Sequence, residues 1–255
     1  MSLSQIFALF AAATAAGAVN AIAGGGTLIT FPVLLLCGTP PVIANATSTV
    51  ALVIGTAGSI FGFRQQISAI RPYLLRFIPV SLAGGLLGSA LLTQNDPATF
   101  TRLVPWLILF ATTLFLIQGF LQKLRPPVPP QPLKTAPLAL AIACQFPLAV
   151  YGGYFGAGIG ILMLASFGFL RLGTIHQMNA LKNILGSLLN FVAATWFVAS
   201  GLVDWPKAGI LTLGALLGYY TGATYSQRIP ASRVRFLITL IGILATAAAF
   251  WNQFS

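Results

Sequence analysis

The sequence predicts an all-α integral membrane protein of two inverted repeats, each a glycine-broken re-entrant helix pair followed by three transmembrane helices. Three observations predict it. Hydrophobic residues make up 57% of the chain and charged residues 6%, with a mean hydropathy of +0.92, a composition foreign to soluble domains. A glycine break, a polar helix start and a helix with a GxxxG pair occur in that order twice. The basic residues fall in turns that an inverted arrangement collects on one side of the membrane.

Gly24-Gly25-Gly26 organise the first half. They interrupt an apolar run from Leu3 to Cys37, too long for one crossing of about 20 residues. Glycine is poor helix interior, at roughly 1 kcal/mol per residue relative to alanine. The run therefore divides into a helix over Ser4–Ile22 and a shorter one over Thr27–Cys37. A break at membrane depth leaves backbone groups unpaired, which is tolerated where it is buried in protein or lines a wet cavity. Ala21-Ile22-Ala23 has the form of a signal cleavage site, but no Lys or Arg precedes the apolar stretch, so a retained arm is expected. After the turn Gly38-Thr39-Pro40-Pro41, a helix runs to Phe63 with an unusually polar start, Ala44-Asn45-Ala46-Thr47-Ser48-Thr49. A helix over Tyr73–Thr93 carries Gly84 and Gly88, whose spacing permits close helix approach, and another covers Arg102–Leu121.

Residues 1–122 form the first membrane repeat, 123–137 a Pro-rich linker, and 138–255 the second repeat, together one membrane domain. Pro126-Pro127 and Pro129-Pro130 favour an extended spacer. In the second half Gly156-Ala157-Gly158 follows the run Leu138–Phe155. Beyond it a constant offset of 134 puts Asn45 on Asn179, Gly84 on Gly218 and Gly88 on Gly222. The breaks themselves need an offset of 132. Internal repeats are a common construction of secondary transporters.

Charge decides how the repeats are related. If each broken run crosses once, the repeats are parallel and Arg228, Arg233 and Arg235 lie opposite Arg64, Arg71 and Arg76. If each broken run is a re-entrant V, all of these share one side with Lys123, Arg125, Lys134 and Arg171, leaving only Arg102 and Lys207 opposite, with Lys182 set apart inside a helix. The positive-inside rule prefers the second arrangement, with both termini outside a cell inner membrane.

On the helix after each break, one face reads Asn45, Ser48, Thr49, Leu52, Thr56 in the first half and Asn179, Lys182, Asn183, Gly186, Asn190 in the second. Asparagines and a lysine are expensive to leave in lipid, so they should face the centre near Gly24, Gly25, Gly26, Gly156 and Gly158. Lysine charge, neutral amides and hydroxyls, and helix N-termini at the breaks make an anion site. The alternative for Lys182 is snorkelling to the interface. His176 is read either as a loop residue or as a titrating group at the mouth of the site.

Other classes fit poorly. The chain has 2 carboxylates and 1 histidine, with no metal-ligand cluster and, apart from Ser187 following Lys182 as a serine–lysine alternative, no nucleophile–base pair, so no enzyme, metal or cofactor is expected. The net charge of +11 forms no basic stripe with interleaved aromatics, so no nucleic acid is expected. Cys37 and Cys144 are read as packing thiols. The expected partners are a small anion and the lipid bilayer, and a homo-oligomer is compatible with the sequence.

Gly24-Gly25-Gly26 with Phe31-Pro32, Pro40-Pro41, Ala44-Asn45-Ala46-Thr47-Ser48, Gly156-Ala157-Gly158 and Asn179-Ala180-Leu181-Lys182-Asn183 together resemble the sulfite exporter TauE/SafE family of membrane permeases. Ala157 and Leu181 depart from the family's common pattern. The resemblance implies transport of a sulfur-containing anion such as sulfite, a sulfonate or a related organosulfur acid. A permease for a non-sulfur organic anion, or an accessory subunit without transport activity, are the alternatives.

Overall fold

The computed structural model describes residues 1–22, 25–62, 67–123, 135–169, 175–225 and 231–254. Every regular element among them is an α-helix. The first apolar run divides as its glycines require, into α1 (Leu3–Ile22) and α2 (Thr27–Leu36). The polar-started helix is α3 (Pro41–Gly62).

Two helices begin earlier than their hydrophobic stretches suggest. α4 spans Ile67–Gln94 and takes in Pro72 and Pro79. Proline removes one hydrogen bond and kinks a helix, but neighbouring helices in a membrane bundle tolerate it. α5 spans Pro97–Lys123. Asp96 starts it, accepting from the Ala98 N–H at 3.0 Å, and Pro97 takes the first helical position, where its missing N–H costs nothing. Asp204 repeats the device for α9, accepting from the Lys207 N–H at 3.2 Å.

The second half contains α6 (Thr135–Tyr154), α7 (Ile159–Phe169), α8 (Ile175–Ala199), α9 (Trp205–Tyr225) and α10 (Ala231–Phe254). Among the described residues, four helices hold a stretch long and apolar enough to cross a membrane: Leu3–Asn20, Ile70–Gln94, Pro97–Ile117 and Gln177–Ala199. The protein is an all-α integral membrane protein.

Glycines set the closest helix contacts. A Cβ at Gly214 would stand 2.5 Å from the Phe10 carbonyl, and at Gly218 it would run into the Thr14 carbonyl. At Gly222 it would lie 2.6 Å from the Ala18 Cα. Numbers rise together, so α1 runs parallel to α9. In the same way Gly84 receives the Phe146 carbonyl and Gly88 the Val150 carbonyl, which makes α6 parallel to α4. The packing is reciprocal: the first helix of each half lies on the glycine helix of the other. Equivalent residues make the contact, since Thr14 and Ala18 stand to Phe146 and Val150 at the same offset of 132 that relates the breaks.

The chain doubles back at both breaks. α1 descends α9 from Gly214 to Gly222, yet after α2 the Thr39 hydroxyl is met by Lys207 Nζ, at the start of α9, at 3.0 Å. α6 ascends α4 to Gly88, yet Phe167 near the end of α7 packs edge-on against Phe77, with centroids 5.7 Å apart. Further contacts fix the other directions. Gly85 faces Leu189 and Trp196 Nε1 donates to Thr93 Oγ1 at 2.9 Å, so α4 and α8 are parallel. Trp106 meets Phe250 and Thr112 meets Gly242, so α5 and α10 are antiparallel.

Candidate anion site between the two breaks

Both breaks rest on α5. Gly25 holds φ at 93°, a conformation that side chains disfavour, and a Cβ there would enter the Phe115 ring. The Gly26 N–H is satisfied by Asn20 Oδ1 at 2.7 Å. Gly24 lies outside the described residues. In the second break Gly156 and Gly158 hold φ at 78° and 76°. Gly158 sits against Leu114 and Ala111. The two breaks therefore meet α5 within about one helical turn of each other. The buried Ala157 carbonyl accepts from the Tyr151 hydroxyl at 2.6 Å.

The α3 face is bonded into the protein. Asn45, 1% exposed, donates Nδ2 to the Tyr154 carbonyl at 3.1 Å, which joins α3 to the last residue of α6 before the second break. Its Oδ1 is buried without a partner among the described residues. Ser48 Oγ and Thr30 Oγ1 lie 2.6 Å apart, and Thr30 also donates to the Gly26 carbonyl at 3.3 Å. Thr49 donates to the Asn45 carbonyl on its own helix.

The α8 face is different. Asn179, Lys182, Asn183, Gly186 and Asn190 are half-buried. Among the described residues, neither Lys182 nor the three amides have a hydrogen-bond or ion-pair partner. A Cβ at Gly186 would meet nothing within 4 Å, so the middle of the face opens on free space. This space lies inside the bundle. Buried Leu185 and Leu189 flank the face on one side and Ser187 and Ala194 on the other, buried Ala193 continues it, and Phe191 and Val198 carry the exposed surface elsewhere on the helix. The Lys182 stem runs over Gly160 in the first turn of α7, which has no side chain to displace it; a Cβ there would sit 3.4 Å from Lys182 Cδ. Lys182 thus stands beside the second break. The His176 side chain lies outside the described residues.

At the end of the bundle where α3 and α9 begin, Lys207 Nζ pairs with Asp204 Oδ2 at 2.8 Å, and the Asp204 N–H donates to Thr47 Oγ1 at 3.0 Å. These bonds clasp the two halves together. Residue-type periodicity pointed to neither this clasp nor the two residues that close the breaks, Asn20 and Tyr151. Asn20 had one available signal, as an amide four residues before the glycine triplet in an apolar run. No metal-binding group of His, Cys, Asp or Glu occurs among the described residues.

Comparison with known proteins bears on what such a site serves. No solved structure matches the chain. A probable membrane transporter protein of Haemophilus influenzae is 28% identical over 246 residues, covering 96% of this chain and 94% of that protein. The probable membrane transporter protein ORF9 of a Sinorhizobium species is 26% identical over 241 residues, 92% of this chain and 88% of its own. The probable membrane transporter protein YfcA of Escherichia coli is 26% identical over 254 residues, 96% of this chain and 89% of its own. The profile of the sulfite exporter TauE/SafE family matches residues 9–249. By its relatives and its family profile this helical bundle, with two chain reversals and a lysine beside one of them, is a membrane transporter, and the chain belongs to the sulfite exporter TauE/SafE family.

Proposed function

We propose that this protein is a permease moving a small, sulfur-containing anion, such as sulfite, a sulfonate or a related organosulfur acid, across the cell inner membrane by alternating access. The observation that carries the reading is the α8 face: a lysine and three amides, without partners among the described residues, on one stripe with the open space at Gly186, beside the second break. A lone ammonium inside a membrane bundle calls for a counter-ion. A bound anion supplies it, and the amides donate to its remaining oxygens. The sulfur chemistry is supported by the family description alone.

Alternating access needs two units that can rock about a shared site. The reciprocal packing of α1 on α9 and α6 on α4 supports two inverted repeats. So do the directions of α4 and α8. If each broken run crossed the membrane once, α4 and α8 would be antiparallel; with a reversal at each break they are parallel, as Gly85–Leu189 and Thr93–Trp196 have them. In this arrangement both termini are external and Arg71 and Arg76 cytoplasmic. Purified protein in liposomes should move sulfite or methanesulfonate down an imposed gradient. A vesicle population as tight as protein-free liposomes to the whole panel, carboxylates included, would identify an accessory subunit instead, and flux of carboxylates alone would move the substrate out of the sulfur class.

A further inference from the structure

We propose that the α8 face is built for an anion of a single charge, and that the protein rejects dianions of the same chemistry. This rests on the reading that the α8 face holds the substrate. Lys182 is the one cation on that face, and Asn179, Asn183 and Asn190 are neutral. The elements packed on α8 are α3, α4, α6 and α7. Among the described residues they bring no second cation towards it. α3 offers Asn45, Ser48 and Thr49, and α7 has no titratable residue. α6 carries Cys144, Tyr151 and Tyr154, none of them a cation. Arg71 and Arg76 of α4 are exposed, off the face that α4 buries with Leu74, Phe77 and Ser81. No carboxylate competes for the lysine, since Asp204 is engaged by Lys207 and Asp96 caps α5.

A monoanion on Lys182 makes a neutral pair, and three amides can donate to its oxygens without adding charge. A dianion keeps one uncompensated negative charge in a crevice that has removed part of its water, and unpaired charge is the costliest thing to desolvate. Selection by charge also carries a proton consequence. An acid with two ionisations enters as its singly protonated form, so the substrate itself brings the proton.

The test measures binding to purified protein with probe pairs that differ in charge: methanesulfonate against sulfate, and acetate against oxalate. The monoanion of whichever pair binds should be favoured by at least about tenfold. Gly186→Lys places a second ammonium one turn from Lys182 where there is room for it, and should reduce or reverse that ratio. Asn190→Lys does the same should the first variant fold poorly. Sulfite, which passes from monoanion to dianion near neutral pH, should lose apparent affinity as pH rises through that ionisation, while methanesulfonate holds steady. Equal or tighter binding of the dianions to wild-type protein overturns the charge selection and leaves the anion site standing. Binding of no member of either pair overturns both. A fall in methanesulfonate affinity parallel to that of sulfite places the titration on the protein, at His176 for example, and contradicts the substrate-borne proton.

Discussion

Lys182 lies across Gly160, one turn from Gly186 on the same face of α8. A charge-assisted hydrogen bond is worth about 1.5–3 kcal/mol. Lys182→Gln keeps length and polarity and should weaken anion binding by roughly 10- to 100-fold, at about 1.4 kcal/mol per decade, with little change in expression. An unchanged dissociation constant would mean the ammonium reaches the interface and not the substrate. Asn45 behaves otherwise. Buried and bonded to the Tyr154 carbonyl across the two halves, it should cost stability when removed. Asn45→Ala is expected to destabilise by about 1–3 kcal/mol, visible as a lower melting temperature in detergent. The residue types of the site were legible from their helical spacing, because a period of 3.6 puts Lys182 and the asparagines on one stripe. Which stripe stays open was not legible. Ser48 is engaged by Thr30 on α2, a partner that depends on how α2 folds back and not on the sequence of α3.

The breaks are the elements with the strictest backbone demands. Gly25→Ala meets both a positive φ and the Phe115 ring, and should cost about 2–5 kcal/mol. Gly158→Ala has a positive φ but only an ordinary contact at 3.4 Å with Leu114, and should cost about 1–2 kcal/mol. Comparing their thermal unfolding tests this order, and equal losses would show that the Phe115 contact relaxes. The clasp is a separate element. Asp204 and Lys207 are partly buried, with side chains 25% and 13% exposed, so Asp204→Asn should lower stability by about 1 kcal/mol. Any sodium dependence of transport should survive it, and sodium dependence lost in this variant would put Asp204 at the site. The breaks were readable from glycine alone, since it freely adopts the positive φ that a chain reversal inside an apolar run uses. The early start of α4 was not, because Pro72 reads as a boundary and tertiary packing overrides that preference; α5 starts at Pro97, a position open to proline that the apolar stretch from Arg102 does not reveal.

At the scale of the molecule, the repeat was legible because identical spacings recur, whereas the reciprocal exchange of α1 and α6 depends on contacts between residues far apart in the chain. Its topological consequence can be measured. In protein lacking Cys37 and Cys144, Ser232→Cys should label from the cytoplasm and Ser255→Cys from outside, and reaction of both from one side would exclude the inverted arrangement. The central claim is that the α8 face is a wet path filled by an anion, and a thiol at its open centre tests this most directly. Gly186→Cys, in the same background and in membranes, should react with a charged, membrane-impermeant thiol reagent. Bound substrate should slow that reaction several-fold, and Lys182→Gln should remove the protection. A thiol at residue 186 that reacts only with lipid-soluble reagents, or at the same rate with and without anion, would contradict the account.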